Sequence, residues 1–162
     1  MKNKVLFLLP LFLVACSKNE ESPVITIDKL YINEDQNAGI NSPEDYSHKI
    51  NELPPLKVGD EVDAILILDG KGAELKSFQF QNCDEMRTEL SYEKTDVSTE
   101  SNLTDEEKGQ LRFKDGVLKT RVKVHGTVES FDDNGEVQLS FYLSSKADCE
   151  GAQEIIDFIV NN

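Results

Sequence analysis

Four residues at alternate positions form the densest group of reactive side chains in the sequence: Lys119, Arg121, Lys123 and His125. In an extended strand that spacing lines one face, because successive side chains point to opposite sides. A cationic stripe of this kind suits an anionic glycan or an acidic protein partner. It equally suits a solvated strand face, paired with Glu136 and Gln138 on a following strand. Exposed pairs of that sort contribute less than about 1 kcal/mol each.

Other groupings offer less. Asp132-Asp133-Asn134-Gly135-Glu136 clusters oxygen ligands, but an EF-hand loop counted from Asp132 needs glycine where Val137 stands. The segment reads as a turn. The only histidines, His48 and His125, are far apart in sequence and lack zinc-ligand spacing. No Gly-x-Ser-x-Gly elbow occurs. Asp84-Glu85 and Glu106-Glu107 resemble paired glycosidase carboxylates, yet adjacent acids are expected by chance in a chain with 31 of them. The expectation is therefore a protein that is not an enzyme, with no catalytic residues, no metal and no cofactor.

Charge narrows the partners. Seventeen basic residues against 31 acidic ones give a net charge of −14. Nucleic acid binding needs a basic surface, so it is not expected. Such a charge favours solubility and repels anionic lipid head groups. Aromatic residues make up 7% and Trp is absent, which weakens a sugar-stacking reading without removing it.

The elements that would carry these residues read as strands and turns. Val24-Ile25-Thr26-Ile27 begins a strand, with Leu30-Tyr31-Ile32 close behind. In the polar stretch 33–55, Ser42 as N-cap, Pro43 and the acids Glu44 and Asp45 predict a short helix to about Ile50. Residues 62–68 form an apolar run suited to a strand within the structure. Leu75 to Gln81 returns with Phe78 and Phe80 on one face and Ser77 and Gln79 on the other, and Met86 to Tyr92 adds another strand. The stretch 93–109 is polar and expected to be exposed, with capping-box spacing at Thr104-Asp105-Glu106-Glu107. A long strand places Leu118, Thr120, Val122, Val124, Gly126 and Val128 on the face opposite the cations. Asn134-Gly135 predicts a hairpin turn that would oppose Val128 to Phe141 and Gly126 to Leu143, with apolar faces in agreement. A last strand runs from Ile155 to Val160.

The N-terminus has a separate character. Lys2 and Lys4 precede an uncharged apolar run too short to span a bilayer as a helix, followed by Leu13-Val14-Ala15-Cys16. A basic start and a short apolar core describe a secretory signal, and the four-residue end resembles the lipobox of bacterial lipoproteins. That resemblance implies removal of residues 1–15 and a diacylglycerol on Cys16. The membrane contact would then be lipid, each buried CH₂ contributing about 0.8 kcal/mol. Residues 16–23 read as a lipidated cysteine and flexible tether, and residues 24–162 as one β-sandwich domain. The acids at Glu20 and Glu21 resemble the export tag of Gram-negative surface lipoproteins, which implies an outer-membrane, outward-facing location; a periplasm-facing one is the alternative. With Cys16 carrying lipid in an oxidising compartment, Cys83 and Cys149 become a candidate disulfide.

Alternating strands and Gly-rich turns argue for an all-β fold, a single antiparallel β-sandwich with one or two short helical turns in loops. The Gly59-Asp60 entry, the apolar strand after it and the terminal strand pair resemble the immunoglobulin-like sandwiches of bacterial surface lipoproteins. Two functions remain. One is a non-catalytic surface binding or adhesion module for a glycan or protein ligand, with loops 33–55 and 93–109 in contact. The other is a periplasm-facing structural or inhibitory lipoprotein that binds a protein. The oligomeric state is not encoded in any pattern found.

Overall fold

Alternation of period two becomes eight strands among the described residues: β1 Val24–Ile32, β2 Glu61–Asp69, β3 Leu75–Gln81, β4 Met86–Tyr92, β5 Gln110–Arg112, β6 Lys119–Val128, β7 Glu136–Ser145 and β8 Ala152–Ile159. The computed structural model describes residues 21–33, 44–81, 84–100, 102–131 and 136–159. The lipobox and Cys16, Ser42-Pro43, Cys83 and the Asn134-Gly135 turn lie outside these residues.

The strands form two antiparallel four-stranded sheets, β1-β2-β6-β4 and β5-β3-β7-β8. The fold is an all-β, immunoglobulin-like sandwich. From β2 to β7, each strand lies in the opposite sheet from the one before it. The inner faces meet in one core. Leu66, Leu68, Val122 and Val124 come from the first sheet, and Phe78, Leu139, Phe141, Leu143 and Phe158 from the second. Phe141 lies 6.3 Å from Phe78 and 6.2 Å from Phe80, centroid to centroid. Such ring pairs add about 0.5–1.5 kcal/mol beyond area burial, and phenylalanines fill a centre that has no Trp to fill it.

The expected terminal hairpin is not formed. β6 and β7 belong to different sheets. Val128 pairs with Met86, and Phe141 with Phe80. The alternation was right and the neighbour wrong, because period two fixes which face is buried and not which strand lies alongside. The two apolar faces meet across the core instead of lying side by side. Gly126 shows why its position is small: a Cβ there would sit 2.3 Å from the Met86 sulfur, and Met86 is 1% exposed.

Loops depart from expectation in three places. Residues 44–49 do not continue a helix; the helical turn is a 3-10 segment at Ile50–Glu52. Asp45 instead folds its loop onto β1. Its Oδ1 accepts from the backbone N–H of Leu30 at 3.1 Å and of Ser47 at 3.0 Å, and its Oδ2 from Lys29 Nζ at 2.8 Å. Burial pushes this carboxyl up, but the Lys29 and backbone donors outweigh it and hold it well below the usual range. Tyr46 N–H donates to the Leu30 carbonyl at 2.8 Å. The free edge of β1 is thus closed at Leu30, a common protection for edge strands. Residues 104–107 form a turn without a helix: Thr104 Oγ1 donates to the Ser98 carbonyl at 2.8 Å and accepts from the Arg112 N–H at 3.1 Å. The polar stretch is also less exposed than its composition suggests, since Val97 is 1% exposed and bridges to Phe113.

Candidate functional site

The cationic stripe lies on the outer face of the first sheet. Its partners are not on the following strand, because β7 is in the other sheet. They are acids on β2 and β1. Lys119 meets Asp69 at 3.2 Å and Arg121 meets Asp28 at 2.9 Å. Lys123 and His125 share Asp63 Oδ1 at 2.8 and 2.9 Å. The register explains each contact: Asp69 stands opposite Lys119, and Asp63 opposite His125. Asp28 lies where the β1–β2 register shifts between Ile27 and Lys29, a bulge that re-aims side chains. Asp63 is only 8% exposed. Burial raises its pKa, but hydrogen bonds from Lys123 and His125 prevail and hold the carboxyl below its ordinary value. An anionic ligand would have to displace these acids, so the stripe is occupied by the protein's own charges.

The opposite outer face differs. On the two central strands of the second sheet, the outward residues from Ser77 to Gln81 are Ser77, Gln79 and Gln81, and from Gln138 to Ser144 they are Gln138, Ser140, Tyr142 and Ser144. None is charged. One rung crosses all four strands: Gln110 opposes Gln79, Gln79 opposes Tyr142, and Tyr142 opposes Gln153. Gln153 Nε2 donates to the Tyr142 hydroxyl at 3.2 Å, and the Ser77 and Ser144 hydroxyls are 2.7 Å apart.

Two shallow depressions lie along this rung. One, about 360 Å³, is lined by Ser77, Gln79, Tyr142, Ser144 and Gln153. The other, about 190 Å³, is lined by Gln79, Leu103, Gln110 and Arg112. They share Ser77 and Gln79 and make one groove. Its floor offers amides and hydroxyls, which donate and accept hydrogen bonds without carrying charge. Sequence reading had placed Ser77 and Gln79 together on one strand face but missed β5, which has only three residues. The available signal was the run of uncharged polar residues at alternate positions in a chain where 30% of residues are charged.

Cys149 lies in the loop between β7 and β8, beside the Ser145 end of β7. Cys83 lies outside the described residues, and the expected bridge to Cys149 falls outside them with it.

No curated protein matches the chain. Two solved structures are similar at low identity. One, described as BspA_C_WT, is 12% identical with a TM-score of 0.42, the match covering 85% of this chain and 50% of that one. The other is a family 123 glycoside hydrolase from Clostridium perfringens, 10% identical with a TM-score of 0.41, covering 88% of this chain and 27% of that one. The chain therefore spans half or less of either protein, and neither likeness bears on activity. A family model described as a domain of unknown function, DUF5035, matches residues 16–160, and the chain belongs to that family.

Proposed function

We propose that the chain is a non-catalytic binding module, held at the outer membrane by lipid on Cys16 and turned outward, with its ligand on the outer face of the second sheet. The observation that carries this reading is a groove lined by amides and hydroxyls, with Arg112 its one charged residue, in a chain of net charge −14. The Lys119–His125 stripe, the other candidate surface, is already paired with acids. A non-catalytic role agrees with the groove chemistry: side-chain amides and serine hydroxyls bind and orient, but they do not exchange protons near neutral pH.

Protease shaving of intact cells that express the full chain tests the reading, with lysed cells as control. Loss of the domain from intact cells is the expected result. Protection until lysis would reject the outward orientation and favour a periplasm-facing lipoprotein that binds a protein there.

A further inference from the structure

We infer that the groove recognises a short oligosaccharide bearing one carboxylate sugar, with Arg112 taking the carboxylate and Gln79, Gln110 and Tyr142 engaging the neutral rings. The inference rests on the binding-module reading and names its ligand class.

Arg112 carries the first part of the argument. Among the described residues it is the one arginine without an ion pair: Arg87 reaches Glu129 at 3.7 Å and Arg121 reaches Asp28 at 2.9 Å. Lys57, Lys71, Lys76, Lys94 and Lys114 also lack an ion pair among the described residues, but of these cations Arg112 alone lines the groove. Its register neighbour on β3 is Ser77, whose hydroxyl is paired with Ser144. Asp115 lies close enough to feel its charge but bonds to Lys146, at 2.6 Å. Arg112 lines the smaller depression, and the planar fork of donors on a guanidinium matches a carboxylate in two parallel hydrogen bonds.

The amides carry the second part. Among the described residues, the side chains of Gln79 and Gln110 make no hydrogen bond within the chain, and the two are direct cross-strand neighbours. Each offers donors and an acceptor on one plane, the complement of neighbouring sugar hydroxyls. The half-buried Tyr142 ring and the exposed Leu103 side chain, 58% accessible, add apolar surface for the C–H faces of a sugar ring. The rung crosses four strands at about 4.8 Å per step, or about 14 Å, room for more than one ring.

Charge sets the number of carboxylates. A polyanionic chain would meet the repulsion of the whole protein, whereas a single carboxylate is matched by Arg112. A peptide is less suited, since peptides usually add to sheets by pairing with free backbone groups at an edge. This groove lies on a face, where only side chains are presented.

The test uses the full lipidated chain, extracted in detergent and titrated calorimetrically. The probes are sialyllactose, a trisaccharide ending in glucuronic acid, and both sugars with the carboxylate reduced to an alcohol. Binding of at least one acid form is expected, with at least tenfold weaker binding of its reduced counterpart. Arg112→Gln should lose that same factor for the acid form and leave the reduced form unchanged, with an unaltered melting temperature. Arg112→Lys, which keeps the charge and loses the fork, should fall between them. Gln79→Ala should weaken both forms alike. Equal binding of acid and reduced forms, no binding of any probe, or equal competition by a tripeptide with a free carboxylate would each overturn the inference. Shaving of the same cells separates the two levels: an outward domain that binds no probe removes the glycan and keeps the module, whereas an inward domain removes the module.

Discussion

The two outer faces of the sandwich are built on the same scaffold and to opposite rules. On the first sheet, the central strands β2 and β6 present Asp63, Asp69, Lys119, Arg121, Lys123 and His125, each paired with a neighbour. On the second, the central strands present glutamines, serines and a tyrosine from Ser77 to Gln81 and from Gln138 to Ser144, with the exposed Lys76 at the start of β3. The first face has spent its polar groups on itself. The second leaves Gln79, Gln110 and Arg112 without partners among the described residues. A face that satisfies itself contributes to folding, and one that does not is free for a ligand. Residue type alone would have suggested the reverse, since a cationic stripe looks more like a binding site than a row of amides.

The sharpest way to break this comparison is to remove Asp63. Asp63→Ala removes the acceptor that Lys123 and His125 share; both side chains still reach solvent, so the cost is set by two lost charge-assisted hydrogen bonds, about 1–2 kcal/mol in all. Urea unfolding should show a lower midpoint whose shift, multiplied by the m-value, equals that amount, with ligand binding at the other sheet unchanged. If the variant is as stable as the parent, the first face is not the structural one.

Acid gives a second, smaller effect. The Asp63 carboxyl lies below its ordinary value in the fold, so its contribution is complete above the unfolded pKa of about 3.9. That contribution is lost as pH falls through the folded value. The parent should therefore lose stability more steeply than Asp63→Asn between about pH 5 and pH 3, as read from urea midpoints along a pH series. Parallel curves would show that Asp63 carries no linkage.

Single cations of the stripe should matter less. Arg121 and its partner Asp28 are partly exposed, at 62% and 31% of their side chains, so Arg121→Ala should cost under about 1 kcal/mol, and less again in high salt. The smallest change belongs to the second face. Gln79→Ala should stay within about 0.5 kcal/mol of the parent in stability while weakening ligand binding. A large loss of stability there would show that the amides hold the sheet together.

Much of this architecture can be read from the sequence, and the rest fails for identifiable reasons. Alternation gave the buried faces of β3, β6 and β7 correctly, down to Phe78, Val124 and Phe141. It could not say that Val128 lies beside Met86 rather than Phe141, because strand neighbours depend on the whole topology. The Asp45 contact with Leu30 spans fifteen residues, whereas helix-start rules consider only the next few positions. The stripe itself was found, but its acids were sought on the wrong strand, since the pairing followed from the mistaken hairpin. The groove went unread because tests for function look for clusters of charge, histidine or cysteine, and it holds one arginine, Arg112, among amides and hydroxyls.

The register of β1 has a mechanical consequence. Any pull on the segment before Val24 enters β1 along its axis. β1 is paired with β2 from Val24–Asp69 to Ile32–Val62, so that ladder resists in shear, its hydrogen bonds stretched together rather than unzipped in turn. Asp45 adds a cross-link partway along, at Leu30. A weight held in the groove would pull on the other sheet, and the tension would cross the phenylalanine core between the two. Under such a pull the lifetime of the fold depends on its unfolding rate rather than its equilibrium stability, and the sandwich behaves as a link in a chain.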